Sequence, residues 1–94
     1  MSKRKALYAR KVKRAVHMLF FRRHKKPGVK GWELRRSLGS DYPKVLSILD
    51  EHLKALDLQV KTVFEDEKTP ENPTMEQLDR ARFYITLRGE LTLK

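Results

Sequence analysis

The spacing of apolar residues changes once along this chain, at Asp57, and that change dictates the order in which its elements come. Before it, apolar side chains recur three and four apart, which gathers them on one face of a helix. After it they alternate, which gathers them on one face of a strand. Helices first and an antiparallel hairpin second is an α+β chain. Residues 1–26 form a basic first helix in which Tyr8, Val12, Val16, Leu19 and Arg23 recur, flanked by Ala9, Ala15 and Phe20, and Pro27-Gly28 stops it. Residues 31–38 form a short second helix with Trp32, Leu34 and Leu38 as its buried set and Gly39 at the C-cap. Val29, just before it, makes a one-bridge strand. A third helix starts from an N-cap oxygen of Ser40 or Asp41, tolerates Pro43 in its first turn, and runs to about Leu56 with Val45, Leu49, His52, Leu53 and Leu56 on one face.

Beyond Asp57, QVKTVFE and RFYITL are β-branched and aromatic, and they form the two strands of a hairpin spanning residues 59–88. Between them residues 66–79 are acidic and carry Pro70 and Pro73, a longer connection than most hairpins use. Thr74 and Gln77 have the spacing of a capping box, so TMEQLDRA makes a helical turn inside that loop. Gly89 breaks the last strand, leaving ELTLK as a further strand or a frayed end.

The composition is consistent with one domain over residues 1–94. There is no cysteine, so no disulfide and no thiolate metal site. No apolar run approaches the roughly 20 residues that span a bilayer, and the expectation is a soluble cytoplasmic protein without a membrane partner. Charged residues make up 36% of the chain; with the missing cysteines, that leans toward a thermophilic source. His17, His24 and His52 lack neighbouring ligands at metal spacing. No phosphate loop, nucleophile elbow or paired buried acids appear, so neither an enzyme nor a cofactor is expected.

Charge is distributed unevenly. The first 36 residues hold fourteen Lys and Arg against one acid, Glu33, a sum of +13, whereas residues 37–94 sum to −3. Cations gathered at one end suit a polyanion, because each phosphate they neutralise releases condensed counterions. Solubility is the other use of such charge.

The order helix, short strand, helix, helix, long hairpin resembles a winged helix-turn-helix, with residues 31–56 as the two-helix reader and 59–88 as the wing. The tail FYITLRGEL is similar to the closing strand of small archaeal and bacterial winged-helix regulators. A second resemblance, over KKPGVKGWELRRSLGSDYPKVLSILDEHLKALDLQVKTV, is to one winged-helix unit of the MAGE homology domain, a protein-binding module of SMC-type complexes. The first resemblance implies double-stranded DNA as partner, with the protein acting as a small transcriptional or chromosomal factor and nucleoid-associated. The second implies a protein partner.

On that frame the phosphate-positioning candidates are Lys11 and Arg14 on the first helix, Lys25, Lys26 and Lys30 before the second, and Arg35 and Arg36 on it. The third helix exposes Pro43, Lys44, Ser47, Asp50, Glu51 and Lys54, so its donors toward base edges are Lys44, Ser47 and Lys54, with Tyr42 at the first turn. Trp32 and Tyr42 also read as core or hinge aromatics. The acids Glu65, Asp66, Glu67, Glu71, Glu76 and Asp79 surround the wing tip, which is then solvated, held off nucleic acid, or set against a basic protein surface. Leu7, Met18 and Phe21 form a second apolar set opposite Val12 and Val16, to be covered by ELTLK or by the same helix of a second subunit in a homodimer. RNA binding and a protein-interaction module stay open as alternatives to duplex DNA.

Overall fold

A computed structural model describes residues 3–20, 28–66 and 68–89, with the side chains of 3–7 left aside. The elements run α1 (Lys3–Phe20), β1 (Val29–Lys30), α2 (Gly31–Leu38), α3 (Tyr42–Leu53), a 3-10 turn (Lys54–Leu56), β2 (Leu58–Val63), α4 (Met75–Arg80) and β3 (Arg82–Leu87). This is an α+β arrangement with, among the described residues, four α-helices and one three-stranded antiparallel sheet. The expected order of elements is found, with α4 inserted in the hairpin where Thr74 and Gln77 predict a turn.

Specific hydrogen bonds and backbone conformations set the ends of α2 and α3. Glu33 reaches back from the first turn of α2 to accept from the Lys30 N–H at 3.2 Å. Lys30 has no acceptor in its side chain, so only this half of a capping box exists. Gly39, at φ +101°, closes α2 by donating its N–H to the Arg35 carbonyl at 2.8 Å. At the start of α3 the Asp41 carboxylate makes no cap bond; its backbone carbonyl takes the N–H groups of Lys44 and Val45 instead. The expected side-chain N-cap is therefore absent, because Lys11 engages the carboxylate. Asp57, in the left-handed region at φ 56°, turns the chain from the last helical turn into β2.

The sheet order is β1-β3-β2. Val29 pairs with Phe83 and Lys30 with Arg82; β2 pairs with β3 from Leu58↔Leu87 to Val63↔Arg82. Val29 and Phe83 face the helices and are buried together with Ala15, Leu34, Leu38, Tyr42, Val45, Leu49 and Leu53. The ring of Tyr42 meets that of Phe83 edge-on, with centroids 6.1 Å apart. Val12, Val16, Leu19, Val60 and Ile85 pack around this centre.

Five expectations about the core are corrected. Trp32 is 50% exposed and Leu56 67% exposed, and His52 is exposed as well. The buried side of α2 is centred on Gly31, Leu34 and Leu38, and α3 tightens into a 3-10 turn that swings Leu56 outward. Leu46, not counted in the stripe, is buried. Met18 belongs to the core and is unavailable to a dimer interface. On a helix advancing about 100° per residue it stands about 60° from the fully buried Ala15, at the edge of the buried face and not opposite it. Leu7, Phe21 and the segment ELTLK lie outside the described side chains, as do Lys25 and Lys26.

Candidate nucleic-acid interface

The cations predicted to hold phosphate divide into those the fold pairs with another group and those it leaves without an ion pair among the described residues. Lys11 projects toward α3 and donates to Asp41 at 2.8 Å. This hydrogen bond, aided by the ammonium charge, holds the Asp41 carboxyl below its ordinary range. Arg35 donates to Asp79 at 2.6 Å, and the other oxygen of that carboxylate accepts from the Tyr42 hydroxyl at 2.7 Å. Lys30 extends its ammonium to the Arg80 carbonyl at 2.8 Å. Tyr42 has no accessible surface, so it cannot touch a base; burial first, then the Asp79 carboxylate, pushes its phenol above the ordinary value.

The third helix, expected to read bases, offers little. Lys54 pairs with Glu51 at 2.8 Å, and the Lys44 ammonium lies 5.3 Å from the centre of the Tyr8 ring. Asp50 turns toward the sheet, accepting from the Val60 N–H at 2.9 Å and from Arg88 at 3.2 Å. Ser47 is exposed and has no partner among the described residues. The acids of the wing are redistributed too. Asp79 leaves the expected tip for α2 and α3, and Glu76 pairs with Arg80 inside α4. Glu65, Asp66 and Glu71 stay exposed.

What remains is a face made by α1 and the outer side of α2. Arg10, Lys13 and Arg14 are exposed on α1, on or beside the side opposite Ala15, and α1 contains no acid. Arg14 also spans to α2, donating to the Ser37 carbonyl at 3.1 Å. That bond uses one donor of five and sits at the negative end of the helix dipole. Beside Ser37, Arg36 is exposed, as is Trp32 about one turn back, and both border a depression with Glu33 and Ser37. Glu33 is the acid nearest these side chains in sequence, and its carboxylate is held back against the Lys30 N–H. Arg10, Lys13 and Arg36 make no ion pair among the described residues.

Of the predicted positioning residues, then, the fold brings Arg14 and Arg36 together and engages Lys11 with Asp41, Arg35 with Asp79 and one donor of Lys30 with the Arg80 carbonyl. Sequence reasoning missed Arg10 and Lys13. The register of α1 contained the clue, since both stand on the side away from Ala15. Among the described residues there is no cluster of three metal-ligating side chains and no helix long and apolar enough to cross a membrane. Comparison of the chain with protein-family models, with curated proteins and with solved structures gives no match.

Proposed function

We propose that this chain is a small winged helix-turn-helix protein that binds duplex DNA by its phosphate backbone, through the outer faces of α1 and α2 and not through α3. The winged-helix reading is supported by the order α1-β1-α2-α3-β2-β3 and by a sheet ordered β1-β3-β2. One observation carries the functional reading. Arg10, Lys13 and Arg14 stand on the solvent side of α1, which has no acid, with Lys13 at its border with α3 and Arg14 reaching α2 beside Arg36, while the cations near α3 are paired with Glu51, Asp41 and Asp79 or lie over the Tyr8 ring. Guanidinium groups suit this role because their donors remain charged and fork toward phosphate oxygens. Contacts of this kind fix the protein on the duplex without encoding sequence.

Titration of random-sequence duplex DNA by fluorescence anisotropy over a range of salt concentrations tests this. Four phosphate contacts predict a log–log slope of about −3.6. Substituting Arg10→Gln, Lys13→Gln and Arg36→Gln together lowers the magnitude of the slope by nearly three and weakens binding, whereas Lys44→Ala with Ser47→Ala leaves both nearly unchanged. A slope near zero, or a triple variant that binds as the parent does, refutes the proposal. Competition with structured RNA separates the RNA reading.

A protein-binding role is favoured by a different observation, a largely apolar groove between α1 and α3 lined by Tyr8, Ala9, Val12 and Ile48, with Lys13 and His52 at its edge. In that reading Arg10 and Arg36 are dispensable for the chain's interactions, and an Arg10→Gln/Arg36→Gln variant, which leaves the groove intact, decides between the two.

A further inference from the structure

The sheet contains no acid. Its strands read VK, LQVKTV and RFYITL, and their only charged residues are Lys30, Lys61 and Arg82. All three point the same way. Val29 and Phe83 pair with each other and are buried, so their neighbours in sequence, Lys30, Arg82 and Tyr84, project from the opposite face. Lys61 lies directly across from Tyr84, and Gln59 across from Thr86. Directly opposed residues have Cβ atoms about 5 Å apart, so Tyr84 stands between Lys61 beside it and Arg82 two residues along its own strand. Tyr84 and Arg82 are partly exposed and Lys61 is exposed. Neither Lys61 nor Arg82 makes an ion pair among the described residues, and Lys30 keeps donors beyond the one given to the Arg80 carbonyl.

From this juxtaposition we infer a second binding surface, on the outer face of the sheet, for a single-stranded polynucleotide: one unpaired base stacks on Tyr84 while Lys61, Arg82 and Lys30 take the flanking phosphates. A duplex does not fit the same face, because its bases are already stacked and present no free π surface, whereas an unpaired base does. An acidic peptide would use the three cations but has no need of the ring. Thr86 and Gln59 add hydrogen-bonding groups that are tolerant of base identity. The face turns away from the core that α1 packs against, so it is separate from the duplex surface proposed above. If that reading also holds, the chain grips a junction, with duplex on its helices and the unpaired strand on its sheet.

The experiment measures anisotropy with labelled oligo-dT, oligo-U of equal length and random duplex. Tyr84→Leu is expected to weaken oligonucleotide binding about tenfold with duplex binding unchanged, and Tyr84→Phe to retain it. Lys61→Gln with Arg82→Gln, both surface changes, should lower the magnitude of the single-strand salt slope by about 1.4. The dT and U arms tell whether the strand is DNA or RNA. Thermal melting of every variant verifies folding, and the Lys61/Arg82 pair stands as the test should Tyr84→Leu unfold. The inference is overturned if the parent binds neither oligonucleotide, if a folded Tyr84→Leu binds them as the parent does, if the Lys61/Arg82 variant keeps the parental affinity and slope, or if polyglutamate displaces the oligonucleotide equally well from the parent and from Tyr84→Leu. Failure of the duplex reading looks different: the Arg10/Lys13/Arg36 variant would keep duplex binding while these results stand.

Discussion

Tyr42 shows how one side chain can be central to a structure for a reason its position in sequence hides. Its ring fills the core against Phe83, and its hydroxyl leaves the core only to donate to Asp79, which Arg35 holds from the other side. Replacing it with Phe keeps the volume and removes one charge-assisted bond, so Tyr42→Phe should cost about 1.5–3 kcal/mol in urea unfolding. The pH dependence has a definite sign. The phenol is raised in the folded protein, so the unfolded chain ionises first, near pH 10, and the stability tied to this proton is lost as pH rises above that value. Tyr42→Phe removes that part of the alkaline limb. Asp41 runs the other way: its folded value is depressed by Lys11, so its contribution is present above about pH 4 and is lost as acid protonates it. Lys11→Met should flatten the acid limb of the same stability curve.

At the scale of elements, α4 was legible and its consequence was not. Thr74 accepts from the Gln77 N–H at 3.1 Å and Gln77 accepts from the Thr74 N–H at 2.9 Å, the reciprocal box that their spacing predicts. A helix of six residues is not stable by itself. It is held on α2 by the Gly31 N–H bond to the Ala81 carbonyl, by the Arg35–Asp79 pair, and by packing so close that a Cβ on Gly31 would fall on the Leu78 carbonyl oxygen. Gly31 is helical, and Ala at such a position normally stabilises a helix by up to about 1 kcal/mol. Gly31→Ala is expected instead to destabilise by about 1–3 kcal/mol and to speed amide exchange across residues 74–81. A gain in stability would mean that α4 is not seated there. Thr74→Ala, which loses the cap alone, should cost about 1 kcal/mol.

For the whole molecule the decisive quantity is a net charge of +10 on 94 residues. The internal ion pairs are partly or largely exposed, and pairs of that kind contribute little each. Self-repulsion among the cations is expected to outweigh them. Raising NaCl from about 10 mM to about 200 mM shortens the Debye length from about 30 Å to below 10 Å and should raise Tm by several degrees, measured by circular dichroism. A fall in Tm would show that the pairs dominate. The same screening weakens any binding through phosphate contacts, so on the proposed function stability and duplex affinity are expected to move in opposite directions with salt.

The sequence by itself determined what depends on neighbours along the chain: the change of period at Asp57, the stop at Gly39, the Thr74–Gln77 cap, the alternation that buries Phe83, and the acid-free basic stretch of α1. Tertiary structure decided which cations find a partner within the chain. Lys11 meets Asp41 across 30 residues, Tyr42 meets Asp79 across 37, and Arg35 meets Asp79 across 44. No local pattern encodes such meetings, because they arise only when packing of the apolar faces brings the elements together, and short-range charge and hydrogen-bond energies then select partners at the contact. The same packing sent Trp32 outward and Met18 inward, and it put every charge of the sheet on one face around Tyr84.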